Sequence, residues 1–218
     1  MVINALTIAA ISFAATLIPS NVSAEVRDLK IENSYGRKLS VSIFGSGETA
    51  VILAHENSKT KNDWKFFAEK LQDAGLMAIT FNFGSRKQAN HEDMIVMIDT
   101  AKKEGAKKVF LLGASMGGSA SLKAASLSKV DGVIVISSMH HPNRSGSSAP
   151  TLDEAQNINE KTLLIVAEGD SPYYQSALKL SEVMPNDRLV VMGGANHGTS
   201  LLKRYSSELD KLILSFIR

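Results

Sequence analysis

The stretch Val109-Phe-Leu-Leu-Gly-Ala-Ser-Met-Gly-Gly-Ser119 decides the fold. An apolar run, Val109 to Leu112, ends at Gly113-Ala-Ser-Met-Gly117, and a small-residue helix pattern, Gly118-Ser-Ala-Ser-Leu-Lys-Ala-Ala125, starts at once. This order predicts a strand, a sharp turn and a helix, with Ser115 at the apex, and it matches G-x-S-x-G. Gly113 and Gly117 flank the serine because a turn that tight crowds any Cβ. Gly118 and Ala120 let the helix lie close to the strand it has just left. The helix would aim its free N–H groups and positive dipole end at the serine. The pattern alone is only moderately specific, because a Gly/Ser loop between a strand and a helix reads the same way.

Working outward, the flanking chain alternates strand and helix patterns. Leu29-Lys-Ile-Glu32 and Leu39-Ser-Val-Ser-Ile-Phe44 each alternate apolar and polar residues around the turn-rich link Asn33-Ser-Tyr-Gly-Arg37. They predict an antiparallel hairpin with one wet face. Ala50 to Ala54, Leu76 to Phe81, Gly132 to Ile136 and Thr162 to Ala167 are continuous runs, the mark of strands buried on both faces. Arg188 to Met192 predicts the last strand. Helical spacing of apolar residues recurs at Trp64, Phe67, Ala68 and Leu71, with Asp63 as a candidate cap, and again at Met94, Ile95, Ile98 and Ala101. It returns at Tyr174, Ala177, Leu178 and Val183, and a terminal amphipathic helix is expected over 201–217. Residues 152–158 make at most a short helix. Strands alternating with helices predict an α/β fold: a mostly parallel sheet, helices on both faces, and the antiparallel hairpin at its leading edge.

Composition narrows the function classes. A chain of 218 residues supports one good core, and 44% hydrophobic with 21% charged residues is an ordinary globular balance. Net charge is only +2, with Lys and Arg spread along the chain, so there is no electrostatic case for nucleic acid. The absence of cysteine excludes a thiol nucleophile, disulfides and thiolate zinc sites. No G-x-G-x-x-G follows a strand and no Walker A lysine is present, so no cofactor is expected. Residues 1–24 carry no charge, are nearly all apolar from Ala5 to Ile18, and end in a small-x-small pattern at Ala24. They read as a secretory signal peptide, with an uncleaved anchor or a buried amino-terminal helix as the alternative; cleavage would leave a single domain over 25–218 that is secreted or periplasmic, with no stable membrane span. The apolar run is short for a bilayer span, which needs about 20 residues.

In an open α/β sheet, ligands collect at the carboxyl ends of the strands. Ser115, Asp170 and His197 each follow a predicted strand. A serine hydroxyl is a poor nucleophile until a base takes its proton, and His197 can be that base. A carboxylate must hold the imidazole in the right tautomer and steady its charged form, and Asp170 can do that. Each has a plainer alternative: Ser115 as a small packing residue, Asp170 as the cap of the helix after Ser171-Pro172, and His197 as a turn residue. The three together, in the order Ser, Asp, His and each at a strand end, favour the chemistry.

On these residues the chain from about Leu39 to Arg218 resembles an α/β-hydrolase of the compact serine esterase and lipase kind. The resemblance implies that Gly113-Ala-Ser-Met-Gly117 is a nucleophile elbow, with Ser115 the nucleophile, Asp170 the acid and His197 the base. Leu53-Ala-His55-Glu-Asn57 followed by Trp64 looks like the family's H-G-x loop. That likeness implies an oxyanion hole made by the backbone N–H groups of Asn57 and Met116. One position departs from the pattern: Glu56 stands where the family usually has Gly. This is similar to the dienelactone-hydrolase branch, where a Gln-Glu pair occupies the position and the Glu touches the nucleophile, although that branch uses cysteine. Glu56 is left open between a carboxylate behind the reacting groups and a solvent-facing loop residue.

Family lids usually enter after the strand ending near Ile136. Here only residues 137–161 are available, which suits a flap over an open cleft and no large cap domain. His140 and His141 lie in it, as a substrate contact, a metal pair, or more simply loop residues; no metal site is expected. His55 and Tyr173 are further candidates near the site, and Tyr174 can as readily pack in its helix. Arg86 and Lys87 could bind an acidic substrate or be solvated loop charges. Asn143-Arg-Ser145 is a glycosylation sequon, relevant only in a eukaryotic secretory route. The expected activity is cleavage of a small-molecule ester through an acyl-enzyme. Acyltransferase, thioesterase or peptidase chemistry on the same residues, and a non-catalytic binding protein on this scaffold, are the alternatives. Oligomeric state is not readable from the chain.

Overall fold

The computed structural model describes residues 26–84, 91–142 and 147–218. The segment 1–24 expected to be a signal peptide, Arg86, Lys87 and the Asn143 sequon lie outside the described residues. Eight strands form one sheet: β1 (Arg27–Glu32), β2 (Lys38–Phe44), β3 (Thr49–Ala54), β4 (Met77–Phe81), β5 (Lys108–Ala114), β6 (Gly132–Ile136), β7 (Thr162–Ala167) and β8 (Asp187–Met192). Their spatial order is β1-β2-β4-β3-β5-β6-β7-β8. β1 and β2 pair antiparallel, and β2 runs antiparallel to β4. Every other pairing is parallel. The expected leading-edge hairpin and parallel body are both present.

The described helices are α1 (Lys65–Asp73), α2 (His91–Lys103), α3 (Met116–Ala125), α4 (Leu152–Ala155), α5 (Tyr173–Val183), α6 (Thr199–Arg204) and α7 (Ser206–Ile217). They cover both faces, which is why the central strands are apolar at every position. On β3, Ala50, Ile52 and Ala54 join the core beneath α2 and α3, with Met94, Met97, Ile98 and Leu122. Val51 and Leu53 point the other way, into the core with Trp64, Phe67 and Leu71 of the α1 side and Leu209 and Ile213 of α7. Each fully buried Val, Leu, Ile, Phe or Met among these stabilises the fold by roughly 1.5–3 kcal/mol.

Two local expectations are corrected. Asp63 does not stand at the helix cap. Trp64 does so for α1, and Thr60 caps the 3-10 turn over Lys61–Trp64 that precedes it, where the Asp63 carboxylate reaches back to accept from the Thr60 N–H at 2.9 Å. The terminal helix is not continuous. It breaks at Tyr205 into α6 and α7. The Tyr205 hydroxyl donates to the Gly193 carbonyl at 3.0 Å, so the break point is tied to the loop after β8.

The parallel strands end nearly level. Ala54 pairs with Gly113, Ala114 with Ile136, Ile136 with Ile165, and Ala167 with Met192. The loops after β3, β5, β6, β7 and β8 therefore leave the sheet along one rim. From β3 the chain crosses to β4 on one side and returns to β5 on the other. The rim between β3 and β5 is thus a topological switch point, where an open sheet leaves a crevice.

Candidate active site

Ser115 occupies that crevice. Its φ of 51° and ψ of −118° are a strained backbone for a residue with a side chain. Such a conformation costs on the order of 1–3 kcal/mol and persists only where its surroundings hold it. Here the Ser115 N–H donates to the Ile136 carbonyl at 2.8 Å, and α3 starts at the next residue. The expected crowding is real. A Cβ on Gly113 would lie 2.4 Å from the Gly117 carbonyl oxygen.

His197 follows β8 and Asp170 follows β7. The His197 Nδ1 lies 2.9 Å from Asp170 Oδ2 and 3.1 Å from Oδ1. A carboxylate beside Nδ1 makes that nitrogen the donor, so Nε2 is left with its lone pair. Asp170 is buried, whereas the His197 side chain is 32% exposed. The Asp170 side chain therefore serves the imidazole; α5 begins at Tyr173, with Pro172 at its cap. The Tyr173 ring lies against the imidazole, 4.2 Å between centroids.

A cavity of about 390 Å³ opens beside Ser115, lined by Asn57, Met116, Met139, His140 and Tyr173 among others. His141, Ser119 and Ser147 to Ala149 complete the wall. The cavity thus borders Ser115, Tyr173 and both residues expected to supply oxyanion N–H groups. Ser119, Met139 and the segment 147–149 were not singled out in the sequence. A serine one helical turn after Ser115 was the only local signal for any of them. Ser119 accepts from the Met139 N–H at 3.0 Å, which fixes the loop after β6 against α3.

The loop after β3 is held from inside. His55 is fully buried. The Phe83 N–H donates to its Nε2 at 3.3 Å, so Nδ1 carries the proton and donates to the Glu56 carbonyl at 2.7 Å. In a trans peptide the carbonyl and the following N–H point in opposite directions. The Asn57 N–H accordingly points away from His55. Glu56 itself is only 8% exposed, which removes the solvent-facing alternative for it. Its Oε1 accepts from the Thr199 N–H at 2.8 Å and from the Thr199 hydroxyl.

His140 is bound to Ser176, whose hydroxyl oxygen accepts from the His140 N–H and lies 2.8 Å from the imidazole Nδ1. Burial, with smaller contributions from Lys179 and His141, holds its pKa below the usual histidine value. Among the described residues no group of three or more His, Asp or Glu side chains is arranged to hold a metal, and no helix is long and apolar enough to cross a membrane.

The family described as alpha/beta hydrolase domain matches residues 47–218. Solved structures agree in fold. An esterase of Pyrococcus furiosus superposes with a TM-score of 0.74 at 17% identity, covering 94% of each chain. A monoacylglycerol lipase of Paleococcus ferrophilus gives 0.67 at 17% identity, over 82% of this chain and 98% of that one. A thermostable carboxyl esterase of Bacillus coagulans, solved with glycerol, gives 0.71 at 11% identity, over 88% and 97%. No curated protein sequence matches the chain.

Proposed function

The chain belongs to the α/β-hydrolase family, and on that premise we propose that it is a serine hydrolase cleaving carboxylic esters through an acyl-enzyme. Ser115 Oγ attacks the ester carbonyl carbon while His197 Nε2 takes its proton. The resulting oxyanion accepts from the Asn57 and Met116 N–H groups, fixed donors worth about 3–4 kcal/mol each in comparable sites. The intermediate collapses, the alkoxide leaves with the proton from His197, and the acyl group stays on Ser115. Water, deprotonated by His197, then attacks the acyl-enzyme and releases the acid.

The observation that carries this reading is the His197–Asp170 hydrogen bond on the same sheet rim as the strained Ser115. It orients an imidazole with a free Nε2, which is what a weak oxygen nucleophile requires. The walls of the cavity bear on the substrate. Met116, Met139, Ala149 and the ring of Tyr173 supply apolar surface, and no Lys, Arg, Asp or Glu is among the described lining residues. We therefore assign an uncharged ester as substrate. Neighbours of the same fold include esterases and a lipase, which agrees. Residues 1–24 would direct the enzyme out of the cytoplasm.

The test is hydrolysis of p-nitrophenyl acetate and butyrate by the wild type and by Ser115→Ala. Turnover that is abolished in the variant is expected. A folded wild type that neither turns over these esters nor reacts with a fluorophosphonate refutes the proposal.

A further inference from the structure

Resting on that reading, we infer that Glu56 is a positioning residue that ties the segment carrying the Asn57 N–H to the segment carrying His197. Glu56 is held at both ends. Its backbone carbonyl is gripped by His55 Nδ1 at 2.7 Å, and its side chain by Thr199, two residues after His197 and 143 positions away in sequence. The Thr199 N–H and hydroxyl both donate to one oxygen, Glu56 Oε1.

The residue between the base and this clasp is shaped to admit the carboxyl group. Gly198 has a φ of 54°, and a Cβ there would stand 2.5 Å from Glu56 Cδ and within 2.8 Å of both its oxygens. No side chain other than hydrogen fits while the Glu56 carboxyl group keeps this place. The Gly198 N–H donates to the Ser137 hydroxyl at 3.0 Å, so the turn behind the imidazole is pinned from the ends of both β3 and β6. The clasp is buried, with Glu56, Thr199 and Ser137 all shielded from water, so its hydrogen bonds are not exchanged for solvent ones.

A shift of Glu56 therefore moves two reaction parts together. Turning its backbone re-aims the next peptide, whose N–H is the proposed oxyanion donor. Releasing its side chain frees the turn that follows His197. A glycine at position 56 would keep the carbonyl contact but not the second link, which gives the departure from the family's usual residue a physical purpose: the carboxyl group joins the β3 and β8 loops, which a hydrogen cannot. The role asks only for an acceptor oxygen of the right reach, not for a charge.

The experiment compares Glu56→Gln, Glu56→Met and Thr199→Val with the wild type. It reads kcat and KM on p-nitrophenyl butyrate, the unfolding temperature, and the downfield proton resonance of the His197 Nδ1–H. Gln keeps an acceptor oxygen, whereas Met keeps length and volume without one. Glu56→Met is expected to lose roughly 10- to 100-fold in kcat, in the range of other groups that orient a reacting side chain, with KM nearly unchanged. Its Nδ1–H resonance should broaden. Glu56→Gln should hold kcat within about threefold and keep the resonance, and Thr199→Val should lose several-fold in kcat. Wild-type kcat in a folded Glu56→Met, or in Thr199→Val, overturns the inference, as does a Glu56→Gln no better than Glu56→Met. The two ideas fail separately: an inactive, unlabelled wild type removes the esterase reading, while the proton resonance still reports whether Glu56 holds the His197 turn.

Discussion

Gly117 packs against Ala54 so closely that a Cβ on the glycine would lie 2.3 Å from the Ala54 carbonyl oxygen and 2.6 Å from that of His55. The turn bearing Ser115 and the loop bearing Asn57 therefore touch backbone to backbone. Gly117→Ala should push them apart, because neither contact is a flexible side chain that can move aside. We expect a loss of about 2–4 kcal/mol in stability and a fall in kcat larger than that in any conservative surface variant. Urea unfolding and ester turnover measured on the same preparation check both; an alanine that leaves stability untouched contradicts the close approach.

Asp170→Asn keeps the size of the side chain but can present an amide N–H to His197 Nδ1. The imidazole would then protonate at Nε2 and could no longer accept the serine proton. A drop in kcat on the order of 10³- to 10⁴-fold follows, as in serine enzymes of other folds. Steady-state kinetics on p-nitrophenyl butyrate measure it, with circular dichroism showing an intact fold.

His55→Phe fills the same buried space but removes the donor to the Glu56 carbonyl. The Glu56–Asn57 peptide is then held only by the Lys59 N–H, which donates to the same carbonyl at 3.2 Å, and the proposed oxyanion donor is less firmly aimed. A reduction of about 10²-fold in kcat is expected, with KM changed little, since the donor acts on the charge that develops during reaction. A KM effect with kcat preserved would instead point to the cavity wall.

His91 opens α2 with a buried Nδ1 that has no hydrogen-bond partner among the described residues, and burial, helped by Lys123, holds its pKa below the ordinary value of 6.5. The carboxylates of Glu92, Glu154 and Asp93 oppose that shift without cancelling it. As pH falls through about 6.5 the unfolded histidine takes a proton before the folded one does, so the folded state loses stability. His140 shifts in the same direction. The urea midpoint should be lower at pH 5.5 than at pH 7.5, and His91→Gln should narrow that gap.

If residues 1–24 act as the proposed leader, exported protein is expected to begin at Glu25. Intact-mass measurement of material recovered from the periplasm or medium reads this directly. A full-length amino terminus in that material would rule out the cleavage.

Much of this molecule is decided locally. The apolar run of β5, the glycines around Ser115 and the small residues of α3 specify a strand, a strained turn and a helix through contacts within a dozen residues. Runs without alternation in β3, β4, β6 and β7 require cover on both faces, and the antiparallel edge follows from the alternation in β1 and β2. The order of Ser115, Asp170 and His197 at strand ends was legible for the same reason, because parallel strands bring their carboxyl ends to one rim. Tertiary packing alone decided the rest. No periodicity announces that Glu56 turns inward to Thr199, that Ser119 fixes Met139, or that Tyr205 interrupts the last helix by reaching Gly193. These contacts join segments whose separation is set by sheet register and loop path, so the partner of each polar group exists only once the chain has closed around it.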